Sequence, residues 1–223
     1  MRQISYKVKA VIFDMDGVIT DTLPFHFRVW KKVFAEQGLQ VNECEIYMRE
    51  GQPGLVTIEE IFKQHKRIFS SQEARAILAR KEKMFKAIVH RRFIPGANNL
   101  LNFLKKRGIR LALVTGTARP EAKRIMSKAL LGLFSVTVTG DEVRKGKPHP
   151  EPYLVALKKL KMKPSQALVI ENAPFGIQSA KRAKLICLAV ETSLPKSYLK
   201  EADHVFPSLH ALRKKVRFIA VCG

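Results

Sequence analysis

The chain has 223 residues, 46% of them hydrophobic and 8% aromatic, with 41 Lys and Arg against 19 Asp and Glu, a formal net charge of +22. That length allows one large domain or one domain carrying a smaller insert, and the apolar content excludes a disordered basic tail. Cys44, Cys187 and Cys222 lie far apart with no CxxC pair, which argues against a disulfide scaffold or zinc ribbon, and with no membrane-length apolar run and no signal-peptide segment a soluble, cytoplasmic protein is expected.

Val8 to Phe13 (VKAVIF) is a short apolar run ending in the polar DMDG, the pattern of a buried parallel strand. From Pro24 to Gln37 the spacing is helical: His26, Trp30, Val33, Phe34 and Gln37 share a face, Pro24 suits a first turn and Gly38 ends it. Thr57–Phe69 and Ser71–Val89 also read as helices, and no strand interrupts residues 23–90. After Arg92-Phe93-Ile94-Pro95-Gly96 the character changes. A helix near 97–107 precedes a strand at Arg110–Val114, and a helix near 120–131 precedes a strand at Val136–Thr139. A helix near 151–161, a strand at Ala167–Ile170, a helix near 175–183 and a strand at Ile186–Val190 follow. A last strand around His204–Phe206 leads to a short basic helix. Strands alternating with helices predict a parallel sheet covered on both faces. The first strand can join that sheet only if the intervening helices bulge out. The expected fold is therefore α/β, a Rossmann-like core of residues 1–22 and 94–223 with an all-helical cap, 23–93, inserted after the first strand.

The charge is uneven: residues 1–22 are neutral, residues 23–93 carry +6 and residues 94–223 carry +16. Lys105-Lys106-Arg107 stands just before Gly108, and the lysines from Lys158 to Lys163 end at Pro164. Both are helix-stop signals, so these cations fall in last turns, where they complement the carbonyl end of the helix dipole. One Trp and four Tyr offer few stacking platforms for single strands. Solvated helix ends are therefore favoured over a nucleic-acid groove, and a basic nucleic-acid-binding protein stands as the alternative from another class.

In open parallel sheets ligands bind beyond the carboxyl ends of the strands. Those ends deliver Asp14-Met15-Asp16-Gly17, Thr115-Gly116-Thr117, Gly140-Asp141 followed by Lys145-Gly146-Lys147-Pro148, and Glu171-Asn172. Carboxylates, hydroxyls and a lysine converge on one rim. A DxD pair alone could cap a turn; four such segments in register with four strand ends point to chemistry.

These stretches resemble the signature of the haloacid dehalogenase superfamily in its phosphotransfer branch. FDMDGVITDT matches the first motif, VTGT the second, Lys147 within KGKPHPEPY the third and VIENAPFGIQSAKRA the fourth. The opening is closest to β-phosphoglucomutase-like and phosphoglycolate phosphatase-like members with a helical cap. The resemblance implies Mg²⁺-dependent hydrolysis of a small phosphorylated metabolite: Asp14 attacks phosphorus, and Asp16 protonates the departing oxygen and later activates water. Thr115, with the amides of Gly116 and Thr117, corresponds to the phosphate cradle, and Lys147 to the residue joining phosphate and nucleophile, with Lys145 its neighbouring competitor. Asp14, the carbonyl of Asp16 and Glu171 would hold the metal, with Asn172 a ligand, a holder of bound water or a helix cap. Many relatives carry an aspartate where this chain has Asn172. His26 matches a histidine of mutase-like relatives and is either a substrate contact or a packed helix residue. Mutases also hold a distal phosphate with a cap arginine after a glycine turn, and in Gly51-Gln52-Pro53-Gly54 the matching position is glycine. Hydrolysis is thus expected over the alternative, β-phosphoglucomutase. No membrane partner is expected, and a monomer is the default.

Overall fold

The computed structural model describes residues 3–221, so Cys222 lies outside them. The chain opens with β1 (Ile4–Val8) and β2 (Ala10–Asp14), followed by α1 (Leu23–Ala35), α2 (Glu43–Tyr47), α3 (Gly54–Gln64) and α4 (Ser71–Ile88). Next come α5 (Ala97–Lys106), β3 (Arg110–Val114), α6 (Arg119–Ile125), α7 (Lys128–Leu131), β4 (Val136–Val138) and α8 (Glu151–Leu160). The last elements are β5 (Ala167–Glu171), α9 (Pro174–Arg182), β6 (Ile186–Val190), β7 (His204–Phe206), α10 (Leu209–Lys215) and β8 (Val216–Ala220).

Six strands form one parallel sheet in the order β4-β3-β2-β5-β6-β7. Every residue of β2 and β5 is buried, because helices cover both faces, and this is why these strands are nearly unbroken apolar runs. Chain order reverses at β2, which has β3 on one side and β5 on the other. That reversal opens the crevice above their carboxyl ends.

Three local expectations are corrected. The run from Val8 to Phe13 divides at Lys9, whose amide donates to the Gln166 carbonyl at 2.8 Å. The segment before it leaves the main sheet and pairs in parallel with β8, Tyr6 opposite Phe218. The single helix expected over 120–131 is two, because Met126 is extended (ψ 139°) and Ser127 Oγ restarts the turn by accepting from the Leu130 amide at 3.1 Å. Helix α3 starts at Gly54, behind Pro53, and stops before Lys66, whose φ of 54° breaks the helical path. A short helix, α2, was not foreseen; Asn42 and Glu45 close a reciprocal capping box at its start.

The four helices between β2 and α5 have their own core. Trp30, Val33 and Phe34 of α1 meet Ala74, Ile77 and Phe85 of α4, with Ile58, Ile61 and Phe62 of α3 filling the third side. Phe34 and Phe62 meet edge to face, 6.2 Å between centroids. Burial of each such ring contributes about 1.5–3 kcal/mol. The two chain crossings into this helical unit run side by side: the Asp21 amide donates to the Arg92 carbonyl (2.9 Å) and the Ile94 amide to that of Ile19 (3.0 Å). Arg92 Nε also pairs with Asp21 at 2.8 Å. Among the described residues no helix is long and apolar enough to cross a membrane.

Candidate active site

At the end of β2 the chain makes a tight turn in which the Ile19 and Thr20 amides both donate to the Met15 carbonyl at 2.9 Å. Gly17 supplies the positive φ (88°) this turn requires. Asp14 and Asp16 leave the turn buried, 3% and 1% exposed, yet with different partners.

Asp14 Oδ1 accepts from Lys147 Nζ at 2.5 Å, and the same ammonium donates to Glu171 Oε1 at 2.6 Å. Glu171 Oε1 also accepts from Tyr153 Oη of α8 at 2.7 Å, and its Oε2 from the amides of Asn172 (2.9 Å) and Ala173 (3.3 Å). Glu171, expected among the metal's ligands, thus has both oxygens engaged by protein donors, and the lysine is what it holds. A Cβ at Gly176 would stand 1.9 Å from Glu171 Oε1, so only glycine leaves room for this carboxylate at the start of α9. Burial pushes the Asp14 pKa up, Lys147 works to lower it and Glu171 and Asp16 raise it; the net direction is well above the usual carboxylate range. Burial would lower the pKa of Lys147, but Asp14 and Glu171 outweigh it and the ammonium is held charged.

Asp16 sits among hydroxyls. Thr22 Oγ1 donates to its Oδ1, while Thr115 Oγ1 (3.2 Å) and Thr117 Oγ1 (3.0 Å) donate to Oδ2. Burial raises its pKa more than these hydroxyls lower it. Thr115 and Thr117 therefore grip the second aspartate, and the Thr117 amide, expected in the cradle, donates to Thr115 Oγ1 at 3.0 Å. Gly116 faces the helical unit through bare main chain: a Cβ there would meet the Gly51 carbonyl at 3.0 Å, and one on Gly140 would meet the Gly116 carbonyl at 2.1 Å.

Asn172 is fully buried. Its Nδ2 donates to Ser193 Oγ at 2.9 Å, while its Oδ1, like Asp14 Oδ2, is buried without a hydrogen-bond partner. An unsatisfied buried acceptor costs about 1–3 kcal/mol. Two such oxygens on adjacent strands at one rim fit an oxygen-seeking cation. Among the described residues no three His, Cys, Asp or Glu side chains gather as a metal cluster; here one carboxylate is committed to Lys147 and one donor is an amide.

Over this rim the helical unit closes a cavity lined by Glu50, Gln52, Thr57, Lys81, Thr117 and Glu121. His26 is buried, stacked on Phe85 with centroids 4.0 Å apart, with Nδ1 3.2 Å from Lys81 Nζ. Because ammonium can only donate, Nδ1 accepts and Nε2–H faces Asp16 Oδ1, 3.8 Å away. Burial, and then Lys81, push its pKa well below the usual value, so the imidazole is neutral. Glu50, half-buried beside it, has its pKa raised to about 8 by burial and then by Asp16. Arg49 turns to Glu60 (3.2 Å), Gln64 (3.0 Å) and the Glu45 carbonyl (2.7 Å).

Asp14, Asp16, Thr115, Thr117, Lys147, Glu171 and Asn172 come together at the rim, whereas Lys145 is exposed and Asp141, also exposed, accepts from the Arg119 amide instead. Tyr153, Thr22, Ser193, Glu50 and Lys81 were not foreseen. Tyr153 and Thr22 stand within the KPHPEPY and TDT stretches already singled out; the others carried no signal beyond being polar.

A family model described as haloacid dehalogenase-like hydrolase matches residues 8–184. The chain is 35% identical over 183 residues to the phosphorylated carbohydrates phosphatase of Thermotoga maritima, covering 79% of this chain and 82% of that protein. It is 29% identical to the β-phosphoglucomutase of Bacillus subtilis, covering 84% and 85%. A crystal structure of β-phosphoglucomutase from Clostridium difficile superposes with a TM-score of 0.81 over 93% of this chain and 96% of that one; at 24% identity it shows the shared fold.

Proposed function

The chain belongs to the haloacid dehalogenase-like hydrolases, and from that premise we propose that it is a Mg²⁺-dependent phosphatase of a small phosphorylated carbohydrate, working through an aspartyl-phosphate. The observation that carries this reading is the division of environment between two aspartates two residues apart: Asp14 against an ammonium, Asp16 among three hydroxyls. A nucleophile needs the first, because a carboxylate approaches an anionic phosphate only where cations offset the repulsion. A proton carrier needs the second, because burial raises its pKa above the ordinary carboxylate value and so favours its carrying a proton.

Asp14 attacks phosphorus while Asp16 gives its proton to the departing alkoxide, which leaves as the alcohol. Asp16, now ionised, takes a proton from water; the hydroxide attacks the aspartyl-phosphate and releases inorganic phosphate with Asp14 restored. Lys147, held by Glu171, which Tyr153 braces in turn, keeps Asp14 in place and meets the phosphoryl oxygens. Asp14 Oδ2, the Asp16 carbonyl and Asn172 Oδ1 would hold the Mg²⁺, with Glu171 adjoining through Lys147. The cation supplies charge neutralisation at the phosphoryl group. Residues 1–22 and 94–223 act as the catalytic core and residues 23–93 as a cap that shields the intermediate, in a cytoplasmic setting.

The name of the Thermotoga relative supports a carbohydrate phosphate as substrate. A mutase would need a second phosphate site in the cap. Here Arg49 is spent on cap acceptors, and Lys81 shares the cavity with Glu50, Glu82 and Glu121. That lining suits hydroxyl groups over a dianion. Phosphate release from a panel of sugar and polyol phosphates, with Mg²⁺ and with EDTA, tests the reading. Asp14→Asn is expected to lower kcat by on the order of 10⁴-fold or more; undiminished turnover in that variant, or in EDTA, overturns it. Conversion of β-glucose 1-phosphate to glucose 6-phosphate would establish the mutase instead.

A further inference from the structure

After β6 the chain turns back over the rim through Thr192 and Ser193. Thr192 Oγ1 donates to the Gly17 carbonyl at 2.5 Å, tying this turn to the loop that carries both aspartates. Ser193 Oγ donates to the main-chain carbonyl of Asn172 at 3.1 Å and accepts from Asn172 Nδ2 at 2.9 Å. A hydroxyl has one hydrogen. With that hydrogen spent on the carbonyl, Ser193 can only accept from the amide, so the group facing it must be the NH₂. The opposite end, Oδ1, is thereby left buried and unpartnered on the far side.

A carboxylate at this position would present an oxygen whichever way it turned. An amide does not: one end is a ligand for a cation and the other repels it. The bond pattern around Ser193 decides which end faces the rim. Gly17 crowds the same amide, since a Cβ there would fall 2.2 Å from Asn172 Nδ2.

We propose that Ser193 is a positioning residue for divalent-cation binding: it locks the Asn172 side chain with Oδ1 toward the cation, so that a neutral amide serves where orientation would otherwise be free. This rests on the reading that Asn172 belongs to the Mg²⁺ site.

The test is a double-mutant cycle on the full-length protein, with Mn²⁺ as the probe and free Mn²⁺ counted by electron paramagnetic resonance. Outer contacts of this kind are worth about 10–100-fold in metal affinity. Ser193→Ala should weaken Mn²⁺ binding by about tenfold or more, and Ser193→Thr, which keeps the hydroxyl, should restore most of it. Asn172→Asp should tighten binding, and in that background Ser193→Ala should cost less than about threefold, because the two carboxylate oxygens are equivalent. Equal losses in both backgrounds would make Ser193 a merely structural residue and overturn the proposal. So would an unchanged affinity in Ser193→Ala, with the cation site itself left standing. If neither the wild type nor Asn172→Asp binds Mn²⁺, the cation reading falls along with the proposal. Should Ser193→Ala melt early, Ser193→Cys, a weak acceptor of similar size, serves in its place with the same expected direction.

Discussion

Lys147 Nζ stands 2.5 Å from Asp14 Oδ1 although 133 residues separate them, and neither side chain is more than 4% exposed. The pair exists because β2 and the loop after β4 converge on one rim. Removing one partner of a buried ion pair costs about 3–5 kcal/mol, because the other charge stays behind. Lys147→Met leaves two carboxylates, Asp14 and Glu171, facing each other without a cation. The variant should melt roughly 10 °C lower by calorimetry in EDTA. It should also lose measurable phosphate release.

Asp16→Asn separates proton transfer from attack. The variant keeps the hydroxyl contacts as acceptor and donor sites but carries no acidic proton. Turnover of an alkyl phosphate should fall by about 10²–10⁴-fold, the usual worth of a positioned acid or base. With p-nitrophenyl phosphate, whose leaving group needs little protonation, the loss in the first step should be much smaller. Equal losses on both substrates in single-turnover experiments would remove Asp16 from the acid role.

Glu50 sets a pH dependence. Its pKa, raised to about 8, keeps it protonated at neutral pH, and as pH rises through 8 a carboxylate forms inside the cavity. That charge repels a phosphate dianion, so kcat/KM should fall by about tenfold between pH 7 and pH 9. In Glu50→Gln that limb should flatten. A profile that keeps its descent in the variant would place the ionisation elsewhere.

Gly176→Ala probes the support beneath the lysine. Its Cβ would lie 1.9 Å from Glu171 Oε1, on a helix whose backbone does not easily yield. Overpacking of this kind costs about 1–3 kcal/mol. Glu171 would have to turn away, releasing Lys147 and Tyr153, so activity should fall further than the change in melting temperature implies. Wild-type kcat in a folded variant would show that Lys147 needs no such support.

Much of this was legible in the sequence because parallel strands buried on both faces read as unbroken apolar runs. Arg110–Val114 and Ile186–Val190 are observed at their expected limits. Asp14, Asp16, Lys147 and Glu171 could be found because each lies at or beyond the carboxyl end of a strand, where topology leaves little freedom. The β1–β8 pair was not legible: ISYKV and VRFIA are short, mixed segments, and their pairing joins opposite ends of the chain. Glu50 and Lys81 escaped notice because their approach to Asp16 depends on how the cap is set on the core. The asparagine at 172 was visible at once, but the direction of its amide is fixed by Ser193, a loop residue 21 positions away. No local pattern announces that contact.

Gly51, Gly116 and Gly140 bring three lengths of main chain together without a side chain between them. Rigid surfaces of this kind separate cleanly. Where Gly51 meets Gly116 the contact is main chain against main chain, with no side-chain bond of its own to break. Resistance to opening therefore lies away from these glycines, at the Lys86–Glu121 ion pair, at the bonds Arg91 and Arg124 make across the boundary, and at the crossings Ile19–Asp21 and Arg92–Ile94. Stiffening or loosening them would tune turnover from a distance, with the chemistry at the rim left as it is.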